Sequence, residues 1–157
     1  MTDINDRFEA VWALDLPDDE LRARIDAVAA ELPEGDPVAA FERGGSWDST
    51  GHPDQAIVLY RAALAAGLDG SRRRQATIQL ASSLRNLGAV AESVSLLQAE
   101  LARGSDELDD AVRVFLALAL TDAGRGREAV ALLIRTITPQ MTRYQRSAAA
   151  YADALGE

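Results

Sequence analysis

One pattern, repeated three times at nearly even spacing, restricts what this chain can fold into more than any other feature. Gly51-x-x-x-x-Ala56-Ile57-x-Leu59-Tyr60-x-x-x-Leu64 recurs as Gly88-x-x-x-x-Ser93-Val94-x-Leu96-Leu97-x-x-x-Leu101 and as Gly124-x-x-x-x-Ala129-Val130-x-Leu132-Leu133-x-x-x-Ile137. The glycines are 37 and then 36 residues apart. A period in this range belongs to stacked helical repeats, in which each unit buries its apolar face against the next. Such chains act by displaying a surface, so the pattern points to a binding module without naming what is bound.

Composition sets the limits. With 157 residues and 48% apolar content the chain can bury a respectable core, and only 5% of residues are aromatic. That core must be built from Leu, Val, Ile and Ala, whose modest size lets helices approach closely. There is no Cys, which excludes a disulfide framework and a thiolate metal site. The first 16 residues lack a basic start followed by an apolar run, so no signal peptide is expected. No apolar stretch approaches membrane-spanning length, and a soluble, cytoplasmic protein is expected, with no membrane partner. Net charge is −9 and every cationic side chain is Arg, so the average field repels a phosphate backbone and no nucleic-acid partner is expected.

Each copy reads as two helices around its glycine. In the second, Arg74 to Asn86 carries Ile78, Leu80, Ala81 and Leu84 on one face, Gly88 supplies a residue able to take positive φ, and Ala91 to Ala102 resumes the pattern. The third runs from Asp109 to Ala123 and from Arg127 to Ile137; the first runs from Val38 to Ser49 and from Asp54 to Ala66, with Pro53 suited to an opening helical turn. Ahead of the repeats, Ile4 to Leu14 and Asp18 to Leu32 read as two amphipathic helices parted at Pro17. Behind them, Thr142 to Leu155 reads as a lone first helix that covers the last apolar face. Residues 1–36 therefore form an N-terminal helix pair, either a cap or a degenerate repeat. Residues 37–157 form the repeat domain, with units at about 37–70, 71–106 and 107–140 and a capping helix at 141–155.

The layout resembles the tetratricopeptide repeat family. Its small first-helix position is held by Gly44, Ala81, Ala117 and Ala152, spaced 37, 36 and 35 residues apart. Its turn glycine is Gly51, Gly88 and Gly124, and its small second-helix position is Ala56, Ser93 and Ala129. The family's first-helix tryptophan is absent and each unit exceeds the usual length by two or three residues. Residues 38–155 are similar to a group of small single-domain bacterial tetratricopeptide proteins through Ala65-Ala66-Gly67-Leu68-Asp69-Gly70, Leu84-Arg85-Asn86-Leu87-Gly88 and Tyr144-x-x-Ser147-x-x-x-Tyr151-Ala152. The resemblance implies an all-α, right-handed superhelical stack of antiparallel helix pairs that works through protein contacts as a homodimer. It also implies a concave groove lined by first helices, with Phe41, Gly45 and Asp48, then Ile78, Ser82, Arg85 and Asn86, then Val114, Leu118, Thr121 and Asp122 facing it. An amphipathic helix or extended peptide suits such a strip. The side chains with which some relatives clamp a chaperone's terminal carboxylate are missing, because Phe41 and Gly45 occupy those places. A dimer surface is expected at Tyr144, Tyr151 and Leu155 if the last helix leaves them uncovered.

Catalytic groupings are scarce. His52 is the single histidine and lies in a turn, where a solvated loop residue is the simpler reading than a general base. Asp106, Glu107, Asp109 and Asp110 could be weighed as a cation site, but carboxylates belong at a helix N-terminus on electrostatic grounds alone. Ser46, Ser82, Ser83 and Ser147 have no base nearby in sequence, and no phosphate-cradling glycine motif occurs. No cofactor or metal is expected, and an enzyme ranks behind both an interaction scaffold and a peptide- or ligand-responsive regulator. One feature runs against helix electrostatics: Arg72, Arg73 and Arg74 fall in a first turn that Ser71 could cap, where each cation costs about 0.3–1 kcal/mol. Two readings stand, pairing with acids of neighbouring units or an anchor for an acidic peptide or carboxylate.

Overall fold

A computed structural model describes residues 3–156. Every regular element in it is helical: α1 (Ile4–Trp12), α2 (Asp18–Ala29), α3 (Pro37–Ser49), α4 (Pro53–Ala65), α5 (Gly70–Asn86), α6 (Val90–Arg103), α7 (Asp109–Asp122), α8 (Gly126–Ile137), a 3-10 turn at Thr138–Gln140 and α9 (Gln145–Gly156). No strand occurs among the described residues.

The helix boundaries follow from local chemistry. At the start of α3 the Asp36 carboxylate accepts from the Val38 and Ala39 N–H groups at 2.8 and 3.1 Å, satisfying two donors that have no intrahelical acceptor, and Pro37 fills the next position. The three repeat glycines share one stop signal. Gly51, Gly88 and Gly124 have φ of 81°, 85° and 75°, and the residue after each donates back across the turn: His52 to the Trp47 carbonyl, Ala89 to Leu84 and Arg125 to Leu120, at 2.9, 2.9 and 2.8 Å. That is a left-handed helix cap, available to glycine without a Cβ penalty. Two helix starts differ from the sequence reading by more than two residues. α5 begins at Gly70, four residues earlier than expected, which places Ser71 inside the helix where its hydroxyl accepts from the Gln75 amide rather than capping. α9 begins at Gln145 instead of Thr142, because Tyr144 just before it takes a φ of 65°.

The chain divides into two compact units, one ending at Ser83 and one starting at Leu84, with the division inside α5. In the first, α1 packs on α2, α2 on α3 and α3 on α4. Phe8, Ile25, Val28, Ala29 and Ala39 form a shared core there, so the N-terminal helix pair and the first helix of the first repeat enclose one apolar cluster. The α3–α4 crossing is close: a Cβ on Gly44 would sit 2.8 Å from two ring carbons of Tyr60. In the second unit α6 packs on α7, α7 on α8 and α8 on α9, around a core of leucine, valine and alanine. The small positions of the repeat are deeply placed in both units. Ala56, Ala81, Ser93 and Ala152 are fully buried, Ala117 and Ala129 nearly so, and Gly44 is buried as well.

Candidate functional site

In the second unit, α7 presents Val114, Leu118 and Asp122 four residues apart, which places them in one stripe. Val114 and Leu118 are 43% and 42% exposed, large values for aliphatic side chains on a helix whose other face is core. At the end of the stripe the Arg85 guanidinium donates to Asp122 Oδ2 at 2.9 Å and to the neighbouring Asn86 amide oxygen at 3.3 Å. Thr121 turns its hydroxyl back onto the Ala117 carbonyl. The predicted residues Arg85, Asn86, Val114, Leu118 and Asp122 thus assemble into an apolar strip with a charged end. Arg85 reaches a ligand there only by sharing or leaving Asp122.

The first unit treats its predicted groove residues differently. Phe41 and Ile78 are buried, at 6% and 7% exposure, and Ser82 is half-buried. Both oxygens of Asp48 are used internally, accepting from the Tyr60 hydroxyl at 3.2 Å and the Ser83 hydroxyl at 2.9 Å. Burial, aided by the Asp48 charge, pushes the Tyr60 phenol far above the ordinary tyrosine range. Phe41 and Gly45 line a cavity of about 570 Å³ whose walls come from α1, α3 and α5. On one side lies Trp12, whose ring rests against Gly45; a Cβ there would come within 3.2 Å of the indole. The Trp12 N–H donates to Glu42 Oε2 at 2.8 Å, and the Arg72 Nε–H donates to Glu42 Oε1 at 3.2 Å. Glu42 is only 5% exposed, and a buried carboxylate requires this kind of double satisfaction.

Sequence reasoning missed Trp12 and Glu42. Each bond of Glu42 spans 30 residues, so no local pattern announces it. The one available signal was a carboxylate directly after Phe41, a residue already assigned to the groove. Of the arginine run, Arg72 is held by Glu42, Arg74 is 4% exposed, and Arg73 and Arg74 each have contacts of their own. His52 is exposed and meets the Trp47 ring edge-on at 5.3 Å, while the Arg22 guanidinium lies 4.9 Å from the centre of that ring. In the acidic segment Asp109 accepts from the Ser105 hydroxyl and Asp110 pairs with Arg113. Among the described residues no three His, Cys, Asp or Glu side chains converge as a metal site, and no helix is long and apolar enough to cross a membrane. Tyr144 and Tyr151 are 75% and 70% exposed, and Leu155 is half-buried.

A search of curated protein sequences returns no match. Among solved structures, a Podosopora anserina chain with nearly identical TPR-like repeats, described as a kinesin light chain, superposes with a TM-score of 0.73. It is 18% identical, and the alignment covers 98% of this chain and 86% of that one. At this identity the likeness concerns the fold alone, and it is the fold of helix pairs stacked in a TPR-like solenoid. The family profile described as Tetratrico peptide repeat matches residues 37–155. Three glycine-capped turns, small residues buried at repeat spacing and this match together place the chain in the tetratricopeptide repeat family.

Proposed function

We propose that this protein is a non-catalytic, cytoplasmic interaction scaffold that holds a peptide or partner segment along the first-helix face of its repeats. Protein–protein contact is the general work of the family. The observation that carries the finer reading is the α7 stripe, where Val114 and Leu118 stay more than two-fifths exposed beside the Arg85–Asp122 pair. An amphipathic partner would cover the aliphatic pair and meet charge at its end. Affinity capture from the native cell after crosslinking, with identification by mass spectrometry, tests the reading. Leu118→Asp should abolish capture of the recovered partner without loss of helical content, and Arg85→Glu should weaken it. Capture that survives Leu118→Asp would remove the α7 stripe as the contact surface.

We infer self-association as part of the same reading. The support is the pair of tyrosines at the last helix, whose large rings stand mostly in solvent. Sedimentation equilibrium should give a dimer that Tyr151→Glu converts to a monomer. A wild-type monomer at high concentration would eliminate the dimer while leaving the scaffold intact.

A further inference from the structure

The cavity among α1, α3 and α5 is better equipped than a packing defect. Its aromatic wall is fixed, because the Trp12 N–H is committed to Glu42 and the ring lies against Gly45, yet the indole remains 37% exposed. One helical turn before Trp12 stands Glu9, which also lines the cavity, is exposed, and has no ion-pair or hydrogen-bond partner for its carboxylate among the described residues. The buried amide oxygen of Gln79, another lining residue, accepts no hydrogen bond. The cationic residue in the wall, Arg72, is compensated by its contact with Glu42. The surrounding charge has the same sign as Glu9: up to Ser83 the chain carries fifteen Asp and Glu against eight Arg, net −7.

A half-exposed indole with an unpaired carboxylate one turn away is suited to a cation, which the ring attracts through its quadrupole and the carboxylate through its charge. From this arrangement we infer that the cavity binds a guanidinium or ammonium side chain, an Arg or Lys of a partner segment, between the Trp12 ring and Glu9. Two walls come from α3 and α5, but Trp12 and Glu9 come from α1, ahead of the residues the family profile matches. The inference rests on the scaffold reading in one respect, the assignment of the cation to a partner segment rather than to a free amine.

The test uses the full chain with Trp47→Phe, so that Trp12 alone reports by fluorescence. N-acetyl-arginine amide should give a saturable change in emission, and its neutral isostere N-acetyl-citrulline amide should bind about tenfold or more weakly, since it loses both charge terms. Glu9→Gln, at an exposed position, should keep the fold intact by circular dichroism and weaken the arginine probe about threefold or more while leaving the citrulline probe unchanged. Equal binding of the two probes, preference for N-acetyl-glutamate amide, or no saturable response to any of them would overturn the cation pocket; the second result would instead assign an anion to Arg72. If the arginine probe binds, a short peptide with one central Arg that binds more tightly than free arginine supports a partner segment as the source. The titrations need no partner, so their failure leaves the Leu118→Asp capture experiment to judge the scaffold independently.

Discussion

α6 and α8 are second helices of successive repeats in the same unit, with matching residues at matching places, yet they bury them differently. Ser93 and Ala129, the small positions, are 0% and 3% exposed. One residue further, Val94 is 6% exposed and Val130 49%; Leu97 is fully buried and Leu133 is 40% exposed. Leu101 is half-buried, whereas its counterpart Ile137 is 57% exposed. α6 is followed by a complete pair, α7 and α8, but α8 is followed among the described residues by α9 alone. The comparison separates two kinds of position. The small positions are buried in both helices, while the larger apolar residues beside them depend on the layer beyond.

The sharpest way to break this contrast is to truncate the equivalent leucines. Leu97→Ala should cost about 2–5 kcal/mol in urea denaturation, the usual range for a buried leucine, and a loss near zero would show that the α6 face is not a core face. Next in size are changes at the close crossings. Gly44→Ala places a methyl where Tyr60 ring carbons stand at 2.8 Å, and Ala117→Leu overfills a site of 2% exposure. Each should destabilise by about 1–3 kcal/mol, against about 0.5 kcal/mol or less for Ala91→Leu at an exposed position; equal effects at all three would mean that the small residues are not contact points.

Tyr60 occupies the place of Leu97 and Leu133 in the first repeat, and it is fully buried with its hydroxyl on Asp48. Tyr60→Phe should cost about 0.5–1.5 kcal/mol through the lost hydrogen bond. It also carries a pH signature. Because burial and the nearby carboxylate raise its folded-state pKa, the unfolded chain releases the phenolic proton first. The contribution is therefore fully present below the unfolded value, about 10, and is lost as pH rises beyond it. Denaturation midpoints should fall above that pH in the wild type and fall less steeply in Tyr60→Phe; parallel curves would contradict the burial of the phenol. The smallest effect belongs to the exposed member of the series. Leu133→Gln should change stability by about 0.5 kcal/mol or less, and a loss as large as that of Leu97→Ala would mean that another surface covers α8 in solution.

Much of the fold was legible because its determinants are local. Gly51, Gly88 and Gly124 stop helices through their own backbone freedom, and Asp36-Pro37 starts one through a side chain two residues from its donors. The α7 positions came from the family resemblance rather than from local pattern, and a spacing of four on one helix then keeps Val114, Leu118 and Asp122 in a single stripe. The first-unit cavity was not legible. Trp12, Glu42 and Arg72 lie in three helices, and their meeting depends on how α1 seats against α3, which is set by a core formed with α2. Asp48 was misplaced for a related reason: only packing reveals that Tyr60 and Ser83 occupy both its oxygens.

What the amino-acid order determined alone is the repeat itself: where helices stop at Gly51, Gly88 and Gly124, which positions are kept small, and which helix faces are apolar, whereas the expected all-aliphatic core holds only in the second unit, since Phe8, Phe41 and Tyr60 are buried in the first. Those properties come from φ preference, side-chain size and hydrophobic spacing, all carried by residues within a few positions of one another. The tertiary structure alone decided which of the equivalent apolar residues are covered and which charged groups are spent inside the molecule. Burial and pairing depend on neighbours tens of residues away, and two sites with the same residue type, such as Leu97 and Leu133, differ only in what lies across from them.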